Sequence, residues 1–315
     1  MTISEAKEKI RGIIKNNLKL PVMLWGPPGI GKSQCVKQLS DEFKIGFIDL
    51  RLSLLNPVDL RGLPVVDREA HKARWLEPEF LPNGKDQPKG ILFLDEINLA
   101  PLSVQAAAYQ LILDRRLGNY RLPDGWQIVA AGNRETDNAN VVKFPAPLAN
   151  RFIHIDIEPD FDCWKAWALQ NKIDERVISF LTKLPQHLFR MPKAGEKCFP
   201  TPRTWEYVSI LNNPEDAYLA VGEGVSAEYN AFLSVYKKLP DIDGILSGKI
   251  KPGLFKRNIP KENDVLFALA TALATRCKPS QLKNFFEYIR HLPKEFEVLT
   301  VRAMLNVLKE HEVVV

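Results

Sequence analysis

Pro21-Val22-Met23-Leu24-Trp25, followed by Gly26-Pro27-Pro28-Gly29-Ile30-Gly31-Lys32-Ser33-Gln34, is the stretch whose reading decides the fold. A short apolar run of strand character feeds a turn of the form G-x-x-x-x-G-K-[ST], and a helical pattern follows, the context in which that spacing cradles phosphate. Gly26, Gly29 and Gly31 let the backbone turn so that successive N–H groups and a helix N-terminus face a polyphosphate, and Lys32 adds a positive charge. Ser33 is placed to ligate magnesium. Pro27, Pro28, Ile30 and Gln34 complete the candidate nucleotide-binding loop.

Outward from the loop, residues 3–18 repeat apolar positions at helical spacing, and further buried strands are expected over residues 45–50, 91–94 and 127–131. Helical patterns such as 104–113 separate them. Strands alternating with helices predict an α/β fold with a parallel sheet covered on both faces. Two stretches interrupt the alternation: residues 56–82, which read as an inserted hairpin around a charged tip, and residues 118–125. After Pro159 strand signals nearly vanish and helical patterns dominate. That shift predicts a nucleotide-binding core over 1–158, a helical lid over 159–238 and a helical extension over 239–315.

The run Ile91-Leu92-Phe93-Leu94 ends in Asp95-Glu96, so both carboxylates are expected at the C-terminal edge of a parallel sheet, where such sheets expose ligand sites. Asp95 is positioned to complete a magnesium shell with Ser33. Glu96, aimed at the terminal phosphate, is the candidate base that orients and deprotonates an attacking water. These features point to nucleoside triphosphate hydrolysis.

Length and composition bound the rest. The 315 residues, 45% of them hydrophobic, suffice for two domains with sizeable cores. No apolar run is long enough to cross a bilayer, and the charged, helical N-terminus is unlike a signal peptide, so a cytoplasmic location without membrane contact is expected. Cys35, Cys163, Cys198 and Cys277 lack metal-site spacing, as do the five histidines. A net charge of +5, spread along the chain, makes nucleic acid an unexpected partner. Lys249, Lys251, Lys256, Arg257 and Lys261 are a local exception, readable either as a solvated loop or as a nucleic-acid contact.

The loop, the DEIN run from Asp95 to Asn98 and the polar Asn133 closing a later strand together resemble the AAA+ superfamily, and within it the MoxR branch. The resemblance implies sheet order 5-1-4-3-2, ATP held between core and lid, and hydrolysis shared between subunits of a homo-oligomeric ring, commonly a hexamer. It further implies a chaperone or remodeller acting on a client protein, with a partner carrying a von Willebrand factor A domain. Asn133 is similar to sensor 1, which helps the base hold water; it could otherwise cap the next turn. Arg151, in Pro147-Leu-Ala-Asn-Arg151-Phe152, looks like the arginine finger offered to a neighbour's nucleotide, or else a helix-end ion-pair residue. Arg203, in Phe199-Pro-Thr-Pro-Arg203, resembles sensor 2, a pattern that also arises by chance. The inserts resemble pore-lining insertions, with Trp75 and Tyr120 at issue, although loop variation reads equally well. Leu99 stands where the family often has arginine, and from about residue 239 the resemblance loosens. ATP as the nucleotide is implied by the family resemblance alone.

Overall fold

A computed structural model of the chain describes residues 1–69, 71–137, 144–211 and 213–312. The first compact unit is Met1–Pro159. In chain order it runs α1 (Ile3–Lys15), β1 (Val22–Trp25), α2 (Lys32–Phe43), β2 (Gly46–Arg51), α3 (Pro57–Arg61), β3 (Leu63–Asp67), β4 (Lys72–Leu76), β5 (Lys89–Asp95), α4 (Leu102–Asp114), β6 (Arg116–Leu117), β7 (Tyr120–Arg121), β8 (Gly125–Gly132), α5 (Ala146–Ala149) and β9 (Ile153–Asp156).

The main sheet is parallel throughout, in the order β2-β5-β8-β1-β9. Numbered among themselves and read from the β9 edge, these strands follow the expected order 5-1-4-3-2. Val22, Met23 and Leu24 of β1 and Ile91 to Leu94 of β5 are fully buried, as strands covered on both faces require. β9 escaped the sequence reading because it is an edge: of Ile153, His154, Ile155 and Asp156, only Ile155 is buried.

One row across three strands shows why glycine stands where it does. Gly46 pairs with Gly90, and Gly90 with Trp126. A Cβ on Gly90 would lie 2.6 Å from the Trp126 ring and one on Gly46 2.9 Å from it, so the indole needs both side chains absent. Its Nε1–H donates to the Gln87 carbonyl at 2.8 Å. α1 begins in a capping box, with Thr2 Oγ1 accepting from Glu5 N–H at 3.2 Å and Glu5 Oε2 accepting from Thr2 N–H at 2.8 Å. α1 is fastened to α2 by Arg11, which donates to both oxygens of Glu42 at 2.7 and 2.8 Å.

Both expected inserts form hairpins. β3 pairs with β4 antiparallel, exposing Leu63, Val66 and Leu76, and β6 pairs with β7 in a ladder of two residue pairs. Tyr120 is buried, however, with its hydroxyl donating to the Pro82 carbonyl at 2.7 Å, so it packs the insert onto the core. Trp75 is 38% exposed.

The second unit, Asp160–Val315, is helical. It comprises α6 (Phe161–Gln170), α7 (Glu175–Lys183), α8 (Pro202–Ile210), α9 (Tyr218–Val221), α10 (Glu223–Tyr236), α11 (Ile242–Leu246), α12 (Asn263–Arg276), α13 (Leu282–Ile289) and α14 (Lys294–Glu312). Phe180, Trp205 and Tyr229 meet at centroid distances of 5.3 to 5.7 Å in one apolar cluster. Phe255, Phe285 and Tyr288 anchor another. α12 belongs to both, with Ala268 in the first and Leu266, Leu269 and Leu273 in the second. Two ion pairs hold α12 antiparallel to α7: Lys183 meets Asp264 at 2.7 Å, and Arg276 Nε donates to Glu175 Oε2 at 2.7 Å. No helix among the described residues is long and apolar enough to cross a membrane.

Candidate active site

A parallel sheet delivers all its C-terminal strand ends to one edge, and here that edge collects Lys32, Ser33, Asp95, Glu96 and Asn133. β1 ends at Trp25 and releases the loop Gly26–Ser33, which turns directly into α2. The turn needs glycine: Gly29 and Gly31 have φ of 78° and 96°, and Gly31 is the left-handed N-cap of α2. At Gly26 a Cβ would sit 2.6 Å from the Ile157 carbonyl oxygen, because Ile157 N–H donates to the Trp25 carbonyl and brings the chain after β9 against the loop.

Lys32 is buried at 9% exposure, yet its ammonium is well supplied with acceptors. Nζ donates to the carbonyls of Gly26 (2.6 Å) and Pro27 (3.0 Å) and to Asn133 Oδ1 (3.2 Å). Carbonyl and amide acceptors offset the cost of burying such a group. Asn133 follows the last residue of β8, and its side chain turns to the loop lysine. The next turn is capped by Asp137 instead, which accepts from Arg134 N–H at 2.9 Å. Arg134 in turn pairs with Asp137 and with Glu158.

Ser33 Oγ donates to Asp95 Oδ2 at 2.8 Å, joining the start of α2 to the end of β5. Two hard oxygen donors side by side at a phosphate-binding loop are the set a magnesium ion takes, and the residues fit it. Asp95 Oδ1 accepts from Glu96 N–H at 2.9 Å. Glu96 itself sits at φ 55°, a left-handed conformation that a non-glycine residue adopts at a cost of roughly 1–2 kcal/mol. Its carboxylate accepts a hydrogen bond from the Ser53 hydroxyl. Asn98 is buried beneath this edge, donating from Nδ2 to the Asn133 carbonyl at 2.6 Å. Desolvation first, and then the Asp95 and Glu96 carboxylates, hold the nearby Asp49 carboxyl above its ordinary range, against the opposing pull of Arg51.

Gln34 is exposed in the first turn of α2. Arg151 is exposed between α5 and β9, and its side chain makes no hydrogen bond or ion pair among the described residues. Arg203 lies in the second unit. There Thr201 caps α8 by accepting from Thr204 N–H at 3.1 Å, Pro202 opens the helix, and Arg203 is exposed in its first turn.

Sequence reasoning missed Ser53 and did not connect Asn98 with Asn133. Ser53 follows β2, and only the register that pairs Arg51 with Asp95 reveals that it lies beside Glu96.

Residues 21–152 match the AAA domain family of the dynein-related subfamily. Over 163 residues, 48% of the chain, the sequence is 27% identical to a midasin of Giardia intestinalis, and it spans 3% of that protein's length. Two single-residue variants of RuvB from Thermotoga maritima are 17% identical; the similarity covers 90% and 91% of this chain and 86% of theirs, with TM-scores of 0.44 and 0.42.

Proposed function

We propose that this chain, an AAA+ ATPase by the family match of residues 21–152, works as a MoxR-like homo-oligomeric ring, a hexamer, that uses ATP hydrolysis to remodel a client protein. One observation carries the reading: Ser33 with Asp95, and Lys32 with Asn133, join three strand ends at a single phosphate-binding turn.

In this mechanism the loop from Gly26 to Gln34 wraps the phosphates with backbone N–H groups while the Lys32 ammonium exchanges its carbonyl partners for phosphate oxygens. Ser33 and Asp95 hold magnesium, which when bound supplies positive charge against the phosphates. Glu96 orients a water and takes its proton, a role worth ~10²–10⁴ in rate. Asn133, placed by Asn98, keeps that water aligned. Arg151 reaches the nucleotide of the adjacent subunit, where its guanidinium offsets charge developing on the transferred phosphoryl group, worth ~10³ or more. Its exposure, and the lack of a side-chain partner among the described residues, support this assignment. Arg203 is assigned the sensor 2 role on its motif.

AAA+ proteins typically assemble into rings, which supports the oligomer. The core over 1–158, the lid over 159–238, the extension over 239–315, the von Willebrand factor A domain partner and the cytoplasmic location complete the proposal. The test is ATP turnover against protein concentration for wild type and Glu96→Gln, with assembly followed by light scattering. Turnover that rises with ring formation and disappears in Glu96→Gln supports the shared site. Equal turnover per subunit in monomers overturns it.

A second reading, a nucleic-acid-directed motor such as a helicase loader or a restriction-type translocase, is favoured by one observation. Lys249, Lys251, Lys256, Arg257 and Lys261 are all exposed, and none has an ion-pair partner among the described residues. DNA-stimulated, salt-sensitive turnover would support it, since phosphate contacts weaken steeply with salt. Turnover indifferent to DNA removes it.

A further inference from the structure

Trp25 is the last residue before the phosphate-binding loop, and His154 is the second residue of β9. The Trp25 Nε1–H donates to His154 Nδ1 at 2.8 Å, with the two rings within 9° of parallel. The other ring nitrogen, Nε2, lies 2.8 Å from the Ala149 carbonyl oxygen. An indole N–H can only donate and a carbonyl can only accept, so the pair of partners dictates one form of the imidazole. Nδ1 offers its lone pair to Trp25, and Nε2 carries the proton given to Ala149. Ala149 closes α5, and the turn that follows presents Arg151, whose N–H donates to the Leu148 carbonyl at 3.1 Å. Phe144 lies edge-on to Trp25 at 5.4 Å and is 6.2 Å from Phe152, so aromatic rings flank the same tie.

His154 is exposed on the open edge of the sheet, where burial does not account for an aromatic side chain with both nitrogens engaged. We infer that His154 is a positioning residue: it ties the turn bearing Arg151 to the strand that releases the subunit's own phosphate-binding loop, and so sets where Arg151 meets a second copy of this chain. The inference rests on the proposed reading in which Arg151 acts across subunits. Misplacement of a reacting group by an ångström is enough to cost ~100-fold in rate, so a tie of this kind has a measurable effect.

The experiment compares kcat and KM for ATP in the assembled protein for His154→Phe, Arg151→Ala and the double variant. His154→Phe keeps a ring and loses both hydrogen bonds. The expected result is a kcat lower by about 10-fold with KM unchanged, and no further loss when the change is added to Arg151→Ala. His154→Gln, whose amide can accept from the indole and donate to the carbonyl, should recover most of the rate. Trp25→Phe removes the donor from the other side and should reproduce the loss if His154→Phe fails to fold. Losses that multiply in the double variant, a KM that rises in proportion, or an unchanged kcat overturn the inference. A wild-type rate in Arg151→Ala overturns the subunit-crossing reading itself, and this inference with it.

Discussion

Lys32 Nζ lies 3.2 Å from Asn133 Oδ1, so a single hydrogen bond connects the loop after β1 to the residue that follows β8. The strand ladder between β1 and β8 brings the two near each other, with Trp25 opposite Gly132. Asn98 then fixes the height of Asn133 by donating to its carbonyl.

Gly132 is where this arrangement is most sensitive. A Cβ there would lie 2.5 Å from Asn98 Oδ1 and 2.8 Å from Met23 Cε. Gly132→Ala is expected to push Asn98 off the Asn133 carbonyl and to destabilise the unit by about 1–3 kcal/mol, as overpacking does. Turnover should fall more than nucleotide affinity, which turnover and nucleotide titration on the same samples would separate.

The hydroxyl of Ser53 occupies part of the Glu96 carboxylate that a lytic water would use. Ser53→Ala should release it. Basal turnover is expected to rise by ~10-fold or more, the scale of one hydrogen bond to a charged group, with ATP affinity unchanged. A fall in turnover would show instead that Ser53 holds Glu96 in its working position.

Tyr120 separates packing from grip. Because its hydroxyl donates to the Pro82 carbonyl within the fold, Tyr120→Phe should lower unfolding free energy by roughly 0.5–1.5 kcal/mol and leave turnover intact. Denaturant melts and ATPase rates on the same preparation test both halves.

Cys35 gives a pH dependence. Its side chain is buried in α2, and that burial pushes the thiol up to about 11, against the nearby charges of Lys7 and Arg11. The folded value lies above the unfolded one, so the folded state favours the neutral thiol. Its contribution is complete below the unfolded value near 9.0 and is lost as pH rises through the folded value. Unfolding free energy should therefore decline over that window by roughly 2–3 kcal/mol on this account, and Cys35→Ala should lack that part of the slope.

How much of this was legible before the structure depended on distance along the chain. The phosphate loop and Asp95-Glu96 declare themselves because strand, turn and chemistry are contiguous, and the continuous apolar runs of β1 and β5 mark them as interior strands. β9 is an edge strand with a single buried residue, so no apolar run announces it. Ser53 and His154 owe their places to strand register: one depends on β2 lying beside β5, the other on β9 lying beside β1. No local pattern encodes either neighbour. Tyr120, read as a candidate grip from its place in an insert, turned inward because a large aromatic ring with a hydroxyl found both apolar cover and a carbonyl.

α12 is shared property. Its Ala268 lines one apolar cluster while Leu266, Leu269 and Leu273 line the other, and the ion pairs at its two ends hold it along α7. Neither half of the helical unit can melt without stripping the wall from its neighbour, so the unit should come apart in one cooperative step. A chain cut after residue 238 would thus leave the remaining half with an open, sticky flank: truncation is a route to aggregation here, and trimming the unit to its first half will not yield a smaller working version of it.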